Sequence, residues 1–164
     1  MNDLSIFGTV ATVTASNTFP AAAPITHFAD DADGMDLPEQ TIAAMEMGVN
    51  GDAVSWSVAT PIALTMNLIP NTLSHVTMGT IYEANRAEKG KRPARDVITV
   101  VRIAPDGSTL TLSGGKIISG TPATSMASSG RLKTASYQLK FLSLTRLRKF
   151  VNEWISKDST LIMI

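Results

Sequence analysis

The side chains that most often carry chemistry are sparse here and poorly arranged for it. There are two histidines, His27 and His75, and no cysteine. No HExxH or HxH pair occurs, and thiolate metal sites and disulfides are excluded. The 15 serines include no G-x-S-x-G elbow, and a Ser-His-Asp site needs a base held in position. Gly114-Gly115-Lys116 looks like the end of a phosphate loop, but the G-x-x-x-x-G-K-[ST] spacing fails and Ile117 follows. A turn is the better reading. These residues point to no enzyme, no cofactor and no metal.

Two charged runs are the remaining candidates. The first, FADDADGMDLPE, carries Asp30, Asp31, Asp33, Asp36 and Glu39. It cannot bury its carboxylates, so it must be a surface loop. Its order is not that of an EF-hand, D-x-[DN]-x-[DN]-G. A solvated loop, a hard-cation site and an electrostatic face toward a partner remain open. The second run, RAEKGKRPAR, carries Arg86, Lys89, Lys91, Arg92 and Arg95 with no aromatic between them. It could touch phosphates but offers nothing for bases to stack on.

These runs belong to a larger asymmetry. The chain has 164 residues and 14 acidic against 14 basic side chains, for a net charge of zero. Residues 1–85 hold nine acidic and no basic residues; residues 86–164 hold five acidic and fourteen basic ones. The halves are therefore −9 (0 − 9) and +9 (14 − 5). Net neutrality argues against a general polyanion binder. Charged residues make up 17%, below the roughly 25% of ordinary soluble domains. Two readings stay open: part of the surface is hidden in an assembly, or the chain is an ordinary small β protein with a Ser/Thr-rich surface. The length suits one domain with a real core. No apolar stretch approaches the ~20 residues of a membrane span, and the N-terminus has no signal-peptide pattern.

The elements that must position these runs are mostly strands. Residues 4–14 alternate apolar and small polar side chains, as a half-buried strand does. Residues 15–41, with Pro20, Pro24, Gly34 and Pro38, read as irregular. Residues 42–49 fit a strand or a short helix, followed by an Asn50-Gly51-Asp52 turn. Strands are predicted over 53–59 and 62–69. The spacing of Leu73, Val76, Ile81 and Ala84 predicts a helix over 72–87, capped by Asn71, Thr72 or Ser74. Residues 97–104 form the clearest strand, and Pro105-Asp106-Gly107-Ser108 turns it into 109–113. Gly114-Gly115 is read as a second turn into 116–120, and 133–142 as the closing strand. Residues 144–157 return to helical period, with an apolar stripe of Leu144, Leu147, Phe150, Val151, Trp154 and Ile155.

The order of these blocks, from Phe28 to Phe141, resembles the tail tube proteins of long-tailed bacteriophages, the contractile-tailed group above all. The blocks are FADDADGMD, MGVNGDAVSW, IALTMNLIPNT, IYEANRAEKGK and the long run from DVITVVRIAPDGSTLTLSGGKIISG to SYQLKF. The resemblance implies a mainly β fold, a tail-tube-like sandwich or barrel with a flanking helix. The tube domain is expected over 1–142, followed by an amphipathic helical extension over 143–164 that the family pattern lacks. It implies a structural virion protein, assembled in the host cytoplasm, whose partner is itself. Homohexameric rings stack head to tail into a tube that conducts the tape measure and DNA. DNA passes without sequence recognition, and no membrane anchor is implied. Tail sheath, tape measure, tail terminator and baseplate proteins are the further partners. On this reading Asp30, Asp31, Asp33 and Asp36 form an inter-ring or lumen-facing acidic loop. Lys89, Lys91, Arg92 and Arg95 form an inter-subunit or sheath-facing basic loop. The alternatives are a tail terminator or baseplate-proximal ring, or a soluble binding module with a basic nucleic-acid-contacting loop.

Overall fold

The computed structural model describes residues 6–147. It contains ten strands and one helix: β1 (Val10–Ala15), β2 (Phe19–Ile25), β3 (Met35–Asp36), β4 (Ala43–Met47), β5 (Ala53–Ser57), β6 (Ile62–Leu68), α1 (Leu73–Asn85), β7 (Ile98–Ile103), β8 (Thr109–Gly120), β9 (Ala135–Phe141) and β10 (Ser143–Leu147). All pairings are antiparallel. One sheet runs β2-β1-β7-β8-β10 and a second runs β8-β9-β6-β3. Strand β8 belongs to both. The result is a sandwich-like arrangement of two sheets with one flanking helix, in accord with the sequence expectation.

The crossover depends on two glycines. The first half of β8 pairs with β7 and β10, the second half with β9. Gly114-Gly115 is therefore no turn, as sequence reading has it, but a bend inside one twelve-residue strand. Gly114 takes φ +67°, a conformation that favours glycine. A Cβ on Gly115 would lie 2.2 Å from Phe141 Cδ1. The missing side chain lets the bent strand lie against that ring. Opposite the bend, Leu142 joins β9 to β10, so these two strands act as one long partner of β8.

Alternation fills the space between the sheets. Ala11, Val13 and Ala15 from β1 meet Leu64, Met66 and Leu68 from β6 and Tyr137, Leu139 and Phe141 from β9, all at 1% exposure or less. Each large apolar side chain so buried contributes about 1.5–3 kcal/mol. Helix α1 starts at the Thr72 cap, whose hydroxyl accepts from His75 N, and ends at Arg86, as the sequence predicts.

Three further expectations are corrected. Residues 15–41 are not wholly irregular, because β2 runs through Pro20 and Pro24. It pairs only with β1, and an edge strand tolerates the missing donors. The helix stripe also differs. Leu73 and Val76 are exposed, while Ser74, Thr77, Met78 and Ile81 face inward. Ser74 is buried because its Oγ accepts from the N–H groups of Thr26 and His27. Finally, Leu144 and Leu147 do not begin a helix. They lie in β10, paired with Leu112 and Thr109, because the free edge of β8 takes up that backbone. The rest of the expected C-terminal helix lies outside the described residues. Among the described residues no helix is long and apolar enough to cross a membrane.

Candidate functional site

Three surface features stand out: a protruding hairpin, the two charged loops and an uncharged sheet face. The hairpin is β4–β5. Its turn is closed by Gly48 N donating to Asp52 O at 2.7 Å, as the Asn50-Gly51 signal predicts. It forms its own two-stranded sheet and has no substantial contact with the other elements. Val54 and Trp56 lie on one face with Glu46; Met45 and Met47 lie on the other. Both faces are open, with Met45 70% and Trp56 47% exposed. Ile42 and Val49 extend the apolar surface. A two-stranded hairpin is marginal by itself, and this one leaves its apolar side chains in solvent. The sequence signal was apolar residues at both parities of the strand pair, which no one-sided core explains.

The acidic loop is held by a segment that sequence reading missed. Arg131 donates to both Asp30 oxygens, at 3.1 and 3.2 Å, and this bond holds the Asp30 carboxyl below its ordinary pKa. Thr134 Oγ1 donates to Asp31 at 2.5 Å. Asn67 Nδ2 donates to the Asp33 carbonyl at 2.7 Å. Asp36 sits exposed in β3 opposite Thr65. The basic loop has its own carboxylates. Arg86 bonds Glu83 and Glu88, and Lys91 bonds Glu83. These partners, Arg86 first, hold Glu83 at about 2. Lys89, Arg92 and Arg95 are exposed and take part in none of the ion pairs among the described residues. No ion pair joins the acidic loop to the basic one within this protomer.

Behind the basic loop lies Asp96, the buried carboxylate that sequence reading did not single out. It accepts from Asn17 N at 2.8 Å, Thr18 N at 3.0 Å, the Thr18 hydroxyl and Asn85 Nδ2 at 2.8 Å. Burial pushes its pKa up, but these donors outweigh that and leave it below the ordinary value. The site ties the β1–β2 turn, the end of α1 and the start of β7 together. Every donor is accounted for by structure, so this is a brace.

The third feature is the outward face of the first sheet. Cross-strand partners share a face, so Thr12, Thr14, Thr99, Val101, Thr111 and Thr145 line up across β1, β7, β8 and β10. None is charged. Among the described residues no group of three or more His, Asp or Glu side chains is placed to hold a metal.

The fold is a two-sheet sandwich with one flanking helix and a hairpin outside both sheets. Solved structures of contractile injection systems contain chains with this fold. A chain of the anti-feeding prophage cap (the tube-terminating cap) is 14% identical with TM-score 0.51, over 90% of this chain and 94% of that one. A chain of the six-fold symmetrised anti-feeding prophage baseplate is 12% identical with TM-score 0.55, over 90% and 98%. A chain of the sheath/tube terminator of an extracellular contractile injection system is 12% identical with TM-score 0.50, over 90% and 98%. At such identities the likeness is one of fold. No curated protein sequence matches the chain. The chain belongs to the family described as tail fiber protein gp32, whose profile matches residues 2–145.

Proposed function

We propose that this chain is a structural, non-catalytic subunit that closes into homohexameric rings on the axis of a phage tail or a related contractile injection machine. The observation that carries the reading is the β4–β5 hairpin, which exposes apolar side chains on both faces and has no substantial contact with the other elements among the described residues. Seating it on a neighbour would remove that surface from water, at about 25 cal/mol per Å². The six-fold baseplate among the similar structures supports the ring number.

The company of the fold bears on the ring's place. Chains of a cap, a baseplate and a sheath/tube terminator share it, which favours a terminator or baseplate-proximal ring. A continuous tube conducting the tape measure and DNA is the second reading, favoured by the two unlike loops. On that reading Asp30, Asp31, Asp33 and Asp36 of one ring face Lys89, Lys91, Arg92 and Arg95 of the next. Heterologous contacts between stacked rings extend into an open filament, whereas those around the ring close by rotation. In either case the uncharged face of the first sheet, with its threonines, lines the lumen, where a polyanion meets no cation to hold it. Electron microscopy of the purified protein separates the readings. Isolated rings support the terminator or baseplate ring, and long hollow tubes the stacking subunit. Monodisperse single protomers at all concentrations would overturn both and leave a soluble binding module.

A further inference from the structure

Arg102 and Arg146 flank Leu110 in one cross-strand row. Arg102 is its Cα partner from β7, and Arg146 its partner from β10. Two strand spacings put these backbones roughly 10 Å apart. With Ser108 and Leu147 the three residues line a surface cavity of about 260 Å³. Neither arginine takes part in an ion pair among the described residues. Two guanidinium forks facing one cleft with an apolar floor suit a carboxylate carried on an apolar segment.

The chain itself carries such a segment. Residues 35–61 contain Asp36, Glu39, Glu46 and Asp52 and no lysine or arginine. Glu46 and Asp52 stand beside Met47 and Val49 at the end of the hairpin, all exposed. The basic loop over 86–95 is a poorer receptor, because RAEKGKRPAR has no large apolar side chain to cover Met47 or Val49. We propose that the cleft between Arg102 and Arg146 receives the hairpin tip of a second copy. Glu46 and Asp52 meet the two arginines, and Val49 in the tip covers Leu110 at the floor of the cleft. The proposal rests on the self-assembling reading above and gives it a receptor.

Charge exchange tests it. Arg102→Glu with Arg146→Glu should raise the protein concentration needed for assembly at least tenfold, with an unchanged melting curve. Glu46→Lys with Asp52→Lys should do the same, and combining all four changes should restore assembly. Because the chain has no cysteine, a second readout is clean. Chains carrying only Glu46→Cys and chains carrying only Arg146→Cys should form a disulfide when mixed and assembled. If Arg102→Glu/Arg146→Glu assembles like the wild type, the cleft is not the receptor, although the ring reading survives. Rescue of the hairpin variant by Lys89→Glu/Arg92→Glu would move the receptor to the basic loop. Absence of the mixed disulfide in assembled particles overturns the pairing even if the arginine variant fails to fold. A wild-type protein that never assembles overturns this proposal and the ring reading together.

Discussion

Asp96 and Glu83 are two carboxylates with lowered pKa values, and they should behave very differently. Asp96 is buried and holds three segments through four donors. Replacing it with Ala leaves those donors unpaired, at about 1–3 kcal/mol for each group stranded out of water. We expect a large fall in melting temperature for Asp96→Ala and a smaller one for Asp96→Asn. The pH dependence has a definite sign. The folded-state pKa lies below 3.8, so the contribution is present above the unfolded value and lost as pH falls through the folded one. Denaturant midpoints of the wild type should therefore drop on acidification below about pH 4, and those of Asp96→Asn should drop less. Glu83 is held at about 2 by Arg86 and Lys91, but this cluster is open to solvent. Solvent screens exposed pairs of this kind, so Glu83→Gln should shift the melting temperature only slightly. A drop as large as that of Asp96→Ala would show that the loop is a stability element.

Strand β8 and the hairpin illustrate opposite demands on an element. The bend in β8 has no room at Gly115, where a Cβ would meet Phe141 Cδ1 at 2.2 Å and Ile98 O at 3.0 Å. Gly115→Ala should cost about 1–3 kcal/mol, the range for overpacking a core, read as a lowered midpoint in urea. The hairpin should show the reverse. Trp56→Ala removes a side chain that supports no core, so the protomer should melt nearly as the wild type does. Assembly should still be lost, which sedimentation of the same sample checks. The sequence announces the hairpin's turn and second strand through Asn50-Gly51 and the period of AVSWS, and leaves 42–49 open between a strand and a short helix. It does not announce that the pair stands alone, because alternation shows which residues share a face and not what that face meets. Gly114-Gly115 misleads for a similar reason. Paired glycines favour turns in isolation, and only the ring of Phe141 beside them makes a bend the better solution.

At the scale of the molecule, the neutral sum of charges hides a subunit with unlike patches. If opposite patches join copies, raising the ionic strength from about 0.1 to 1 M shortens the screening length from about 10 to 3 Å and should weaken assembly. Light scattering across that range measures it. Scattering that rises with salt would instead point to joints dominated by the apolar hairpin.

What the sequence determined by itself is local. It shows which stretches alternate, where Pro105-Asp106-Gly107 turns the chain, that Asn71, Thr72 or Ser74 can cap a helix, and that no G-x-S-x-G, HExxH or phosphate-loop motif occurs. Such features depend on side chains within a few residues of one another, where sterics and hydrogen bonding leave few choices. The tertiary structure alone decided that β8 bridges both sheets, that Arg131 clasps Asp30 from 101 positions away, and that Leu144 completes a strand. It also decided that Arg102 and Arg146 face one cleft. Each of these rests on contacts between segments distant in sequence. Register and burial across the whole domain set such contacts, and no pattern within a single segment encodes them.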